Sequence, residues 1–245
     1  MLEEFPGTAA LIEITSSTEL PANRESLKLL TVDNLQLVGE LATPIANQSA
    51  AVLLTLHPLP THGGFMESHI LRKAANRLPA LADVSVLRFN TRGTSSPQGT
   101  SEGSFGDGVE EEHDLAAALE FLSSRALGPI WLVGWSFGTE LAIKYGVDKD
   151  IAGAILLSPP LRRAGEADLV KWIGSGKKLV ALIPEHDEFL PPGPAIERFN
   201  VVPEAEIIAV DGAKHLWVGE SATKRVLNEI VRAVNPAKYP LPERV

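Results

Sequence analysis

From Ala51 onward the chain alternates short apolar runs with longer amphipathic stretches, and no other feature of the sequence constrains its fold as much. "AVLLTL" (51–56) precedes "MESHILRKAANRL", "VSVLRF" (84–89) precedes "GVEEEHDLAAALEFLSS", and "IWLVGW" (130–135) precedes "FGTELAIKYGV". "IAGAILLS", "KLVALIP" and "AEIIAV" continue the series, the last followed by "SATKRVLNEIVRAV". Runs of about six apolar residues suit strands buried on both faces, and the stretches between them carry a helical period. Strands alternating with helices imply right-handed crossovers and a mostly parallel, twisted sheet with helices on both faces, an α/β architecture of about eight strands. The first forty-odd residues read differently: "ALIEIT", "SLKLLTV" and "LQLVGELATP" are short alternating runs suited to antiparallel edge strands, with "VDN" as a hairpin turn.

A chain of 245 residues, 44% hydrophobic, can bury one sizeable core, so a single domain over 1–245 is expected. The Gly/Ser/Pro-rich piece from Asn90 to Gly108 joins a strand to the next helix and reads as a long functional-face loop rather than a linker. With 22 basic and 31 acidic residues the formal charge is −9, which argues against nucleic acid as a partner. Without cysteine there are no disulfides, no thiol catalysis and no cysteine-ligated metal. No apolar run approaches membrane-spanning length, and "MLEEFPGTAALIEIT" lacks a basic segment followed by an apolar one. No membrane insertion, a cytoplasmic location and a monomer or homodimer are therefore expected.

"GWSFG" (134–138) follows the strand "IWLV" directly and opens a helix. A nucleophilic serine has to project from a strained strand-to-helix turn, and glycine on both sides lets neighbouring backbone approach there. Ser136 meets that demand; the structural alternative is a helix cap. A serine hydroxyl also needs a base to take its proton and a third group to orient that base. After "KLVALIP" comes "EHDEFLPP", and after "AEIIAV" comes "DGAKHLW". His215 alone among the histidines follows the last strand. Asp187, Glu185 and Glu188 compete for the acid. The order Ser, acid, His at successive strand ends places all three on the sheet edge where open parallel sheets gather their sites. The cluster Glu110 to Asp114 invites a metal-site reading, but acidic residues also favour a helix start, and no matching ligand pair occurs elsewhere, so neither metal nor cofactor is expected. Arg92, beside Gly93 at a strand end, is expected to tie its loop together.

Taken together, "HPLPTHGG", "RFNTRG", "GDGVEEEHDLAAAL", "GWSFG", "PEHDEF" and "GAKHLW" resemble the α/β-hydrolase fold, in particular small esterase-like bacterial members, over nearly the whole chain. The resemblance implies a triad of Ser136, His215 and Asp187, the last favoured over the flanking glutamates. It also implies an oxyanion hole from the backbone N–H of Phe137 and a second donor in "HPLPTHGG". Leu59, between two prolines and just beyond the strand end where the family's matching residue sits, is the preferred second donor, with Gly63–Gly64 as the alternative. Trp217, Trp172 and His62 are candidate pocket residues. Trp135 flanks the nucleophile too, though core packing is the simpler reading for it. Between Ser158 and Lys178, where this fold often inserts a cap, only one short helix fits. Its apolar residues Leu169, Val170, Trp172 and Ile173 are candidates to roof the site.

The implied activity is cleavage of carboxylic esters of small or accessible acyl substrates through an acyl-enzyme, without a cofactor. An amidase, peptidase or thioesterase would use the same triad. A non-catalytic binding module on a hydrolase scaffold is the rival from another class.

Overall fold

In the computed structural model, which describes residues 13–245, the alternation becomes one large sheet covered on both faces. Along the chain lie β1 (Asn23–Leu30), β2 (Gln36–Thr43), β3 (Ala51–Leu56), α1 (His69–Ala82) and β4 (Val84–Phe89). A two-residue hairpin of β5 (Ser95–Ser96) and β6 (Gly99–Thr100) leads to α2 (Glu111–Arg125), β7 (Ile130–Trp135), α3 (Phe137–Tyr145) and β8 (Gly153–Leu157). Then follow α4 (Glu166–Leu169), β9 (Lys178–His186), α5 (Pro192–Phe199), β10 (Glu206–Lys214) and α6 (Glu220–Val234). The eight-stranded order is β1-β2-β4-β3-β7-β8-β9-β10. β2 runs antiparallel to β1 and β4, and every other pairing is parallel.

β3, β4 and β7 are buried along their whole length, as central parallel strands with helices on both sides must be. Alternate side chains feed two cores. Leu53, Trp131 and Val133 pack with Ile70 and Leu78 of α1 and Val226 and Ile230 of α6. Leu54, Leu56 and Leu132 pack with Leu115 of α2, Leu141 of α3 and Phe199 of α5. Pro79 interrupts α1 and cannot donate to the carbonyl of Ala75; Arg24 supplies that carbonyl with a side-chain donor at 3.4 Å.

The hairpin of β1 and β2 turns through Val32-Asp33-Asn34, with Asn34 at φ +64°. "ALIEIT" departs from expectation: its first three residues lie outside the described ones, and Glu13 makes only an isolated bridge with Arg244. α5 has no counterpart in the sequence reading, because "FLPPGPAIERF" opens with three prolines that read as turn; Pro192 instead occupies the first helical turn, where no N–H is needed. The loop from Asn90 to Gly108 is held by the buried Arg92, Asp114 and Glu111 and by the exposed Asp33. Arg92 bonds Asp114 (Nη2 to Oδ1, 2.8 Å) and Asp33 (Nη1 to Oδ2, 3.0 Å), and Glu111 accepts the N–H groups of Gly106 and Gly108, both at 2.8 Å. Two members of the acidic cluster are thus engaged in fixing this loop. Among the described residues no helix is long and apolar enough to cross a membrane.

Candidate active site

Ser136 links β7 to α3 at φ +50°, ψ −114°, a conformation that costs an L-residue of this kind about 1–3 kcal/mol. The two glycines of the motif make the turn possible. A Cβ on Gly134 would stand 2.5 Å from the carbonyl oxygen of Gly138, and one on Gly138 would stand 2.0 Å from that of Leu56. The start of α3 therefore rests directly on the end of β3, which brings the loop after β3 beside Ser136. Ser136 N–H donates to Leu157 of β8 (2.9 Å), anchoring the turn to the next strand.

Asp187 and His215 reach this turn through the pairing of β9 with β10. Val210 lies opposite Pro184 and Lys214 opposite His186, so β10 carries two extra residues over that step. The irregularity contains Gly212 at φ +67°, and Glu185 accepts the Gly212 N–H at 2.7 Å. Because Lys214 and His186 are paired, the next residue of each strand, His215 and Asp187, leaves the sheet side by side. His215 Nδ1 lies 3.0 and 2.9 Å from the two Asp187 carboxylate oxygens, and its Nε2 lies 2.9 Å from Ser136 Oγ. Asp187 Oδ1 also accepts the N–H groups of Phe189 (2.8 Å) and Leu190 (3.3 Å), which fixes the carboxylate's plane. Both His215 and Asp187 are buried, whereas Ser136 is partly open.

The backbone of His215 is held as firmly as its ring. Its carbonyl accepts from Trp135 Nε1 (3.1 Å) and from Ser158 Oγ (3.0 Å), and Ser158 itself sits at φ +52°. Phe189 packs edge-on to the imidazole, ring centroids 4.4 Å apart. Ser158 and Phe189 escape a sequence reading because their partner lies tens of residues away and no local pattern marks them.

In the loop after β3, the N–H groups of His62 and Gly64 donate to Leu59 O at 3.0 Å, and that of Gly63 to Pro60 O at 3.1 Å. The Leu59 N–H has no acceptor among the described residues. The same holds for Phe137, the first residue of α3, as helix geometry requires. The glycine alternative thus has its donors engaged inside the turn, while Leu59 keeps its donor free.

His57 governs that loop. Its Nδ1–H donates to Pro58 O (2.7 Å) and its Nε2 accepts the Thr91 N–H (3.1 Å), a pattern only the neutral ring can make. Pro58 O and Leu59 N belong to one planar peptide, so holding the oxygen also aims the Leu59 N–H. Burial lowers the imidazole pKa from 6.5 to about 4, against an upward pull from the bond to Pro58. A histidine depressed on folding contributes stability that is complete above its unfolded pKa. That stability is lost as pH falls from 6.5 through about 4, here about 3 kcal/mol in all. In thermal melts across pH 4–7, His57→Gln should flatten this part of the profile; parallel profiles for the two proteins would refute the linkage.

Two pocket candidates, Trp217 and Trp172, do not stand where expected. Trp217 is 0% exposed and Trp172 2%, each inside one of the two cores. An indole is buried most favourably where its bulk fills a cavity. Trp172 does so against α3, donating Nε1 to Ile143 O at 3.0 Å, so the α4 segment is pinned down rather than raised as a roof. Val170 and Ile173 of that segment face outward. His62 is exposed, bonded to Thr61, with no hydrogen bond to the Ser136–His215–Asp187 line. Glu188 is exposed, and Glu185 serves the bulge.

Comparison with known proteins agrees with this architecture. A serine hydrolase homologue from Coxiella burnetii superposes with a TM-score of 0.72 at 24% identity, covering 86% of this chain and 97% of its own. A serine hydrolase without lid from Xanthomonas campestris gives 0.73 at 22% identity, covering 92% and 100%. An esterase from Pyrococcus furiosus gives 0.67 at 21%, covering 87% and 93%. An uncharacterized protein of Rickettsia prowazekii is 32% identical over 126 residues, 49% of this chain and 50% of that protein, so the match spans about half the length of each. The profile described as "Alpha/beta hydrolase family" matches residues 53–222, from within β3 to the start of α6, and on that span the chain belongs to the alpha/beta hydrolase family.

Proposed function

We propose that the protein is a serine hydrolase that cleaves carboxylic esters of small or accessible acyl substrates through an acyl-enzyme. The observation that carries this reading is the continuous line Ser136 Oγ, His215 Nε2, His215 Nδ1, Asp187 carboxylate, with each contact at 2.9–3.0 Å. Ser136 Oγ attacks the ester carbonyl carbon as His215 Nε2 takes its proton. Asp187 holds the other ring nitrogen and stabilises the resulting imidazolium. Negative charge gathers on the carbonyl oxygen, where the free N–H groups of Phe137 and Leu59 are the available donors. When the intermediate collapses, the ester C–O bond breaks and His215 returns its proton to the departing alkoxide. Water then attacks the acyl-serine with His215 as base, releasing the acid and restoring Ser136.

The short α4 segment, anchored on α3, favours open access over a sequestered pocket, in keeping with the Xanthomonas relative described as lacking a lid. A fluorophosphonate probe tests the reading: one equivalent should label Ser136 of the folded protein, and p-nitrophenyl butyrate should be turned over. Folded protein that neither labels nor hydrolyses the ester would instead be a binding module on a hydrolase scaffold.

A further inference from the structure

Two consecutive arginines stand over the two aromatic rings that flank the reacting groups. The Arg163 guanidinium carbon lies 5.4 Å from the ring centroid of Phe137, the residue after Ser136. The Arg162 guanidinium carbon lies 4.8 Å from the centroid of Phe189, the ring packed on His215. Their charges are treated differently. Asp107 neutralises Arg163, accepting its Nε at 2.9 Å and its Nη2 at 2.5 Å. Arg162 is exposed and forms no ion pair among the described residues, not even with Glu188 beside Phe189. In a chain of net charge −9, one unneutralised guanidinium is thus placed one aromatic ring away from the general base.

Its mount is built with care. Glu140 of α3, fully buried, accepts the backbone N–H groups of Arg162 (2.8 Å), Arg163 (2.7 Å) and Ala164. Arg198 donates to Leu161 O at 3.0 Å, and Leu161 sits at φ +48°. A buried carboxylate satisfied by three backbone donors ties this loop to the helix that begins at the nucleophile. The mount fixes the backbone from which the Arg162 side chain reaches over Phe189, where it has no anionic partner among the described residues.

We propose that Arg162 is a specificity-determining residue that favours esters carrying a carboxylate on the acyl or alcohol side. The inference rests on the reading of the chain as an ester hydrolase. The planar guanidinium fork matches a carboxylate bidentately, and its apolar footing on Phe189 lowers competition from water. One unneutralised positive charge suits a monoanion; a phosphate dianion would call for a second, and the adjacent Arg163 is already paired.

The test compares kcat/KM for neutral p-nitrophenyl butyrate and anionic mono-p-nitrophenyl glutarate, whose acyl chains are alike near the ester. Arg162→Gln should lower the anionic-to-neutral ratio about tenfold, mainly through KM, and Arg162→Lys should restore part of it. Raising salt to about half-molar should shrink the wild-type ratio and leave that of Arg162→Gln nearly level. A ratio that is the same in wild type and Arg162→Gln, with both esters hydrolysed, overturns the role of Arg162 alone. If wild type hydrolyses neither ester, the ester-hydrolase reading fails and the specificity with it.

Discussion

Ser136→Ala is expected to lower kcat/KM for p-nitrophenyl butyrate by roughly ten-thousand-fold or more while leaving the melting temperature nearly unchanged. The change removes one oxygen and keeps the Cβ, so the cost of φ +50° is the same in both proteins and Gly134 and Gly138 keep their close contacts. Among the described residues the oxygen is bonded only to His215 Nε2, so its loss leaves a single nitrogen of the buried imidazole without its partner, facing the partly open position 136. Residual turnover would come from water attacking beside the Phe137 and Leu59 donors. Steady-state assays with calorimetry separate the outcomes. A variant that keeps more than a few per cent of activity places the nucleophile elsewhere, and one that loses activity only because it unfolds leaves the wild-type melt behind.

Asp187→Asn is expected to cost roughly a thousand- to ten-thousand-fold in kcat with little change in KM. Asp187 Oδ1 accepts the N–H groups of Phe189 and Leu190 as well as facing the imidazole. Asparagine can keep those turn bonds only by giving its carbonyl to them, which turns its NH2 toward His215 Nδ1. Two donors cannot face each other, so Nδ1 must accept and the ring proton moves to Nε2. That tautomer donates toward Ser136 Oγ and cannot serve as its base. Asp187→Glu keeps the charge but lengthens the side chain, and a partial recovery of kcat in that variant would separate charge from geometry. Wild-type kcat in Asp187→Asn would remove the carboxylate from the mechanism.

Much of this site can be read along the chain. Gly-Trp-Ser-Phe-Gly between an apolar run and an amphipathic one announces a tight strand-to-helix turn, because the demand at Gly134 is set by the turn itself, although that at Gly138 comes from Leu56 of β3. His215 and Asp187 can be read as well, since each follows an apolar run that ends in polar residues. The groups that hold them cannot. Ser158 and Trp135 act on a carbonyl in another loop, and Glu140 acts on backbone more than twenty residues away. Trp217, beside His215 in sequence, and Trp172, in the segment where a cap would lie, illustrate the opposite failure: such positions suggest a pocket wall or roof, but an indole's direction is set by whichever core has room for it. Proline misleads in α5, where it opens a helix, and informs in "HPLPTHGG", where it leaves Leu59 as the lone backbone donor between His57 and Thr61.

The residues by themselves determined most of the order of strands and helices, α5 excepted, the sharp turn at Ser136 and the placing of an acid and a histidine at two later strand ends. These follow from periodicity and backbone sterics, which act over a few residues. Tertiary structure alone decided that the three side chains meet. Two extra residues in β10, taken up at Gly212 and held by Glu185, set the register in which Lys214 faces His186. Shifting a strand by one residue turns its side chains to the other face, so this long-range pairing aims His215 at both Asp187 and Ser136.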